Sequence, residues 1–209
     1  HRVDRRQRQM CIRDRFILLN IIILPLQFTV KSFSNIITIP KEIYHIATNK
    51  MVRQNHALEH AAINVIEEKY GGVYNLSGYA QEDGFIIKGS APADMVYEAA
   101  DIGQRRMAGG ERGLAVHKRC GTSLAVTNLI SSIIFLILLF KYGYFNFLNI
   151  LIAILAASLI GSFFGRFVQL YLTTSQDVQN IAIVDIITNN GKYGYFNFNN
   201  EYFVQTRRI

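Results

Sequence analysis

Two long runs without a formal charge, Ser123–Phe140 and Asn146–Gly165, constrain this chain more than any other feature. At about 1.5 Å of rise per residue, eighteen to twenty helical residues approach the roughly 30 Å of a bilayer's hydrocarbon core. Lys141-Tyr142-Gly143-Tyr144-Phe145 joins them so briefly that the two helices are expected to form an antiparallel transmembrane hairpin. The tyrosines fall where an interfacial aromatic belt would sit. Ser131, Ser132, Ala153, Ala157 and Gly161 are small enough to let two such helices approach closely. Only 18% of the residues are charged and 50% are hydrophobic, which fits a membrane chain better than a soluble one of 209 residues.

A third apolar run, Phe16–Val30, lies near the N-terminus and reaches Ile39 if it continues past Lys31. It reads as a further transmembrane segment over residues 16–39. Ahead of it, Met10-Cys11-Ile12-Arg13-Asp14-Arg15 looks like the translation of a transposon end used in sequencing libraries, so residues 1–15 are set aside as a sequencing scar. Six basic residues and two acidic ones leave with that segment, and the formal charge of +7 falls to +3. No nucleic-acid partner is expected. Cys120 is then the one remaining cysteine, which rules out an intramolecular disulfide and asks for no oxidising compartment.

Residues 40–122 are polar and balanced in charge, as a soluble domain would be. Val52–Tyr70 carries Leu58, Ala61, Ala62, Val65 and Ile66 at helical spacing and ends at Gly71-Gly72. Phe85–Lys88 reads as a strand after Glu82-Asp83-Gly84, and Pro92 opens a helix to about Ala108. Leu114-Ala115-Val116-His117 reads as a second strand. The expected fold class is thus an α+β membrane protein: a small αβαβ soluble domain, a transmembrane helical hairpin over 123–171 and an additional N-terminal apolar helix. In the β-rich tail, 172–209, Ile181–Ile187 and Tyr202–Thr206 read as strands that can join those of the central domain. The heptapeptide Lys-Tyr-Gly-Tyr-Phe-Asn-Phe occurs at 141–147 and again at 192–198, too short to count as a structural repeat.

Histidines carry the chemical signal. In His56-Ala57-Leu58-Glu59-His60 the imidazoles stand at i and i+4, on one helix face, as two ligands of one metal would. Glu59 between them can orient a water at that metal or take its proton, and the string fits the inverted zinc-hydrolase pattern H-x-x-E-H. His117-Lys118-Arg119-Cys120-Gly121-Thr122 offers a nitrogen and a sulfur ligand from a tight turn. Three ligands with Glu59 as catalytic base describe a hydrolase; His56, His60, His117 and Cys120 together would close the site around a structural ion. Glu67 and Glu111 stand in reserve as ligands. The apolar runs hold no ionisable side chain of the kind a transporter or proton relay places there.

At Arg53-Gln54-Asn55-His56-Ala57-Leu58-Glu59-His60-Ala61 and Leu114–Thr122 the chain resembles an uncharacterised family of bacterial membrane proteins classed as a domain of unknown function. That family joins a His-Ala-Leu-Glu-His-Ala helix to a His-Pro-x-Cys-Gly-Thr-Asn turn, followed by two transmembrane helices and a segment like Thr173-Thr174-Ser175-Gln176-Asp177. The likeness spans about residues 50–187, with Lys118 in place of the proline and Ser123 in place of the last asparagine. It implies the architecture and no activity. The pitrilysin-like proteases share only H-x-x-E-H, a likeness of site.

The sequence therefore predicts a membrane-anchored, zinc-binding protein with a peptidase-like hydrolase as the first reading. The alternative is a non-enzymatic membrane module whose His/Cys cluster holds a structural metal or packs, serving assembly or regulation. Lys41, Lys50, Arg53, Lys118, Arg119 and Arg166 flank the spans on one side and Lys141 alone lies on the other, which puts the polar domain on the cytoplasmic face of a bacterial inner membrane. Expected partners are the lipid bilayer and a protein or peptide substrate.

Overall fold

A computed structural model describes residues 2–142, 147–189 and 200–209. The expected hairpin connection at 143–146, the Asn/Gly-rich turn before Asn200 and the second copy of the heptapeptide, at 192–198, lie outside the described residues. The fold is α+β, mostly helical, with one four-stranded antiparallel sheet. In chain order the elements are α1 (Arg2–Thr48), α2 (Lys50–Tyr70), β1 (Ser77–Ala80), β2 (Gly84–Gly89), α3 (Ala93–Ala108), α4 (Gly121–Tyr142), α5 (Phe147–Val168), β3 (Ile181–Asn189) and β4 (Asn200–Arg208). The chain divides into two compact units, one of residues 1–40 with 125–163 and one of 41–124 with 164–209.

In the first unit the buried apolar residues Phe135, Leu136, Leu139, Ile150 and Ala153 form a small cluster, with Phe28 set edge-on to Phe135 at 4.9 Å between ring centres. Asn35 donates to Ser132 Oγ across it at 3.0 Å. Gly161 packs against Thr127 so closely that a Cβ there would meet the threonine side chain at 2.6 Å. Among the described residues α4 is by itself long and apolar enough to cross a membrane; Leu148–Gly161 and Phe163–Thr173 qualify only as a bent pair.

The second unit holds the sheet, in the order β1-β2-β4-β3, with α2 and α3 packed on it. Asn49 begins α2 by accepting from the Met51 and Val52 amides, and Gly71, at φ 71°, ends it. The apolar stripe of α2, with Leu58, Ala62 and Ile66, is buried together with Phe85, Ile87, Val96, Val178, Ile181 and Val204. Tail strand β4 pairs with β2, so residues far apart in sequence complete one sheet. β3 pairs with β4 around a bulge between Ile183 and Asp185.

One expected strand is absent. Arg112–Ala115 is a 3-10 turn, and Val116, though extended, and His117 join no strand. The physical reason lies in α2: Asn64 Nδ2 donates to the carbonyls of both Leu114 and Val116, and His60 donates to that of Ala115. Side chains thereby use the carbonyls a strand would have offered to a neighbour. The strand that the sequence hid, β1, takes its place beside β2.

α3 approaches α2 through Gly103, where a Cβ would lie 3.0 Å from the backbone carbon and the side chain of Ala61. Backbone cannot yield as a flexible side chain can. Overpacking of this kind costs about 1–3 kcal/mol, more than the roughly 1 kcal/mol of helix propensity that alanine gains over glycine. Gly103→Ala is expected to lower the thermal unfolding midpoint of the detergent-solubilised protein; an unchanged or higher midpoint would contradict this packing.

Candidate metal centre

α2 projects His56, Glu59 and His60 from one face, and the turn that leads into α4 brings Cys120 against them. Ligand atoms of His56, His60 and Cys120 all lie within 4.8 Å of one another, and all three residues are buried. The two imidazoles stand 4.4 Å apart between ring centres, as i and i+4 positions require.

Each imidazole is oriented by a backbone carbonyl. His56 Nδ1 lies 2.9 Å from the Thr173 carbonyl oxygen and His60 Nδ1 lies 2.8 Å from that of Ala115. A carbonyl only accepts, so both Nδ1 atoms carry hydrogen and donate, leaving both Nε2 atoms to face the cluster. His56 Nε2 meets Cys120 Sγ at 3.5 Å. A second layer that fixes tautomer and ring direction is the usual companion of a metal-ligating histidine.

The Thr173 carbonyl is free to accept because it ends a helix whose last turn is widened. Gln169–Thr173 is a π turn, closed by the Thr174 amide donating to the Gln169 carbonyl at 3.0 Å. Arg53 Nη2 donates to the Thr174 carbonyl at 3.2 Å and fastens this turn to α2. Gln169 is itself buried, donating to the His117 carbonyl at 3.1 Å and to Ser123 Oγ at 2.6 Å. Sequence reasoning missed Thr173 and Ala115, whose contribution is a backbone carbonyl and leaves no side-chain signal. Asn64 and Gln169 did leave one: each is an amide in a mostly apolar stretch, where a polar side chain calls for hydrogen-bond partners.

Of the expected ligands, His117 stands apart from the group of three. Its ring centre is 6.0 Å from that of His60, and its Nε2 is 3.2 Å from Glu67 Oε2. Arg119 also pairs with Glu67, so this carboxylate serves His117 and Arg119. Burial, the largest influence, pushes His117 below the ordinary imidazole range despite Glu67. Glu111 binds Arg106 at 2.6 Å and takes no part in the cluster.

Over residues 51–186 the chain matches the family described as Domain of unknown function (DUF6391). The protein belongs to that family. An uncharacterized protein of Picosynechococcus sp. is 30% identical to this DUF6391 chain over 167 residues, 75% of this chain and 79% of that protein. No solved structure matches it. The matched region contains His56, Glu59, His60, His117 and Cys120.

Electrostatics in this DUF6391 cluster pair acid with base. Burial opposes the charged form of His56 most strongly, but its hydrogen bond to Cys120 and the charges of Glu59 and Cys120 raise it to about 9. For Cys120, burial pushes the thiol up, and hydrogen bonds from His56 and His60 outweigh it, bringing it down to about 4. Near neutral pH the metal-free pair is therefore a thiolate beside an imidazolium. Burial, only partly offset by His60 and His56, raises Glu59 above the usual carboxylate range.

Glu59 is 4% exposed, and its Oε2 has no hydrogen-bond partner among the described residues. Such an orphan is costly, about 1–3 kcal/mol or more for a group of this kind, and calls for a role. Glu59, the three clustered residues and His117 all line one cavity of about 370 Å³, whose apolar wall includes Val52, Ile63 and Leu76. A buried group of two histidines and one cysteine is thus able to hold a metal, with a carboxylate beside it.

Proposed function

We propose that this protein is a membrane-anchored, metal-dependent hydrolase in which His56, His60 and Cys120 hold one zinc ion and Glu59 is the general base. The observation that carries the reading is the orphaned Glu59 oxygen, buried in the cavity that the three ligand residues line. Two nitrogen ligands and one thiolate suit zinc, and three protein ligands leave a tetrahedral ion one open position. The ion, when bound, supplies Lewis acidity toward water and a substrate carbonyl. Glu59 takes the proton from the attacking water and returns it to the leaving group, a role its burial favours by lifting its affinity for a proton.

Anchorage is supported by α4 and by the apolar side chains the first unit exposes, among them Ile137, Phe140, Leu148, Leu155 and Leu159. A surface of that extent calls for lipid or another apolar partner. With the basic residues Lys118, Arg119 and Arg166 near the apolar runs, we place the site on the cytoplasmic side of a bacterial inner membrane.

The test is metal content by mass spectrometry of chelator-free, detergent-purified protein, paired with hydrolysis of a fluorogenic peptide. One zinc per chain with zinc-dependent turnover supports the reading; zinc without turnover favours a structural ion in a non-enzymatic module; no metal overturns both.

Proton release gives a second check. Between pH 4 and 9 the metal-free Cys120 is already a thiolate, while His56 carries a proton that a metal must displace. Zinc affinity is therefore expected to rise by about tenfold or more per pH unit across that window and to level off above it. Calorimetry in two buffers of different ionisation enthalpy should report about one proton or more released per zinc near pH 7. A pH-independent affinity would show that the thiolate–imidazolium pair does not exist.

A further inference from the structure

β1 forms one edge of the sheet, and no strand among the described residues pairs with its outer side. Which of its backbone groups face outward follows from the register. The Gln81 amide donates to the Gly84 carbonyl at 2.8 Å, making that couple a hydrogen-bonded pair. Antiparallel pairs alternate, so Tyr79 with Ile86 and Ser77 with Lys88 also exchange hydrogen bonds. Ala80 opposite Phe85 and Gly78 opposite Ile87 do not, and their N–H and C=O groups point to the free edge.

That edge belongs to the cavity wall, for Ser77, Gly78, Tyr79 and Ala80 line it together with His56, Glu59, His60 and Cys120. Gly78 stands close to the carboxylate: a Cβ there would lie 2.9 Å from Glu59 Oε1. A chain added beside β1 would run about 4.8 Å from it, at the spacing of neighbouring strands. Exposed β edges are usually blunted by charge, proline or a cover, and β1, Ser-Gly-Tyr-Ala, has neither charge nor proline.

We infer that the free edge of β1 is a recognition strand for an extended polypeptide, which adds to the sheet through Gly78 and Ala80 and carries its own carbonyls past Glu59. This assignment of substrate class rests on the hydrolytic role proposed for the His56–His60–Cys120 site. Main-chain pairing supplies affinity without regard to sequence, and the apolar wall of Val52, Ile63 and Leu76 receives alternate side chains.

The experiment uses the full chain in lipid nanodiscs, zinc-loaded and carrying Glu59→Gln so that bound peptide is not consumed. The probe is a fluorescein-labelled hexapeptide of alternating Ala and Leu, read by anisotropy against empty nanodiscs, beside the same peptide N-methylated at alternate residues. Saturable binding is expected, weakened about tenfold or more by N-methylation, as loss of two backbone hydrogen bonds would do. Adding Ala80→Pro removes one outward N–H without touching the β1–β2 ladder, and is expected to weaken the unmodified peptide similarly at unchanged zinc content. Equal affinity for both peptides, or no binding above empty nanodiscs at one zinc per chain, overturns the inference and leaves the hydrolase reading standing. Absence of zinc from the wild-type protein overturns the hydrolase reading, while the peptide pair still decides whether β1 recognises extended chains.

Discussion

Glu59→Gln is expected to lower the hydrolytic rate of the zinc-loaded protein by about two to four orders of magnitude, the span over which a positioned general base acts. The substitution keeps the volume of the side chain and removes its ability to take a proton. Because Glu59 is buried and lies close enough to Gly78 of β1 that a Cβ there would crowd it, an isosteric amide should leave the packing as it is. Burial raises the carboxyl in the metal-free site, whereas a nearby divalent cation favours the carboxylate, so the base is armed when the metal is in place. Zinc content should stay at one per chain, since His56, His60 and Cys120 are untouched. A variant that keeps its zinc and its rate would show that Glu59 is not the base, whatever the ion does.

Much of the second unit could be read from local pattern. Gly71 ends α2 where the Gly-Gly pair marks a stop, its apolar stripe names the face that packs, and β-branched and aromatic residues mark β2, β3 and β4. The i, i+4 histidines and Glu59 follow from the helix alone, because side chains four apart share a face wherever that helix goes. Two things were hidden. β1, Ser77–Ala80, has no alternating apolar pattern, and its pairing is fixed by the two-residue turn at Glu82-Asp83 and by α2 beneath it. Leu114–His117 has the composition of a strand, but its carbonyls answer to Asn64 and His60, contacts fifty or more residues away in sequence. The division of labour between His117 and Cys120 was likewise beyond local pattern. Only the fold shows Glu67, itself paired with Arg119, engaging the first while His56 engages the second.

His60→Ala should abolish the response of thermal stability to zinc. A ligand that binds only the folded state raises its stability by about 2.7 kcal/mol at a hundred times its dissociation constant, so the wild-type midpoint is expected to climb with zinc and fall with chelator. Losing even an outer-layer partner weakens a metal site about 10–100-fold, and loss of a ligand exceeds that. His60 is 1% exposed, and its removal also strands the Ala115 carbonyl and opens a void, so the variant will be less stable before any metal is added. The difference between zinc and chelator curves within each protein removes that offset. Cys120→Ser separates ligand chemistry from packing, for it keeps nearly the same shape while exchanging a soft thiolate for a neutral hydroxyl. A zinc-insensitive midpoint in both variants, beside a responsive wild type, assigns the ion to this cluster. A full response in either would move the metal elsewhere and remove the reason to look for hydrolysis at Glu59.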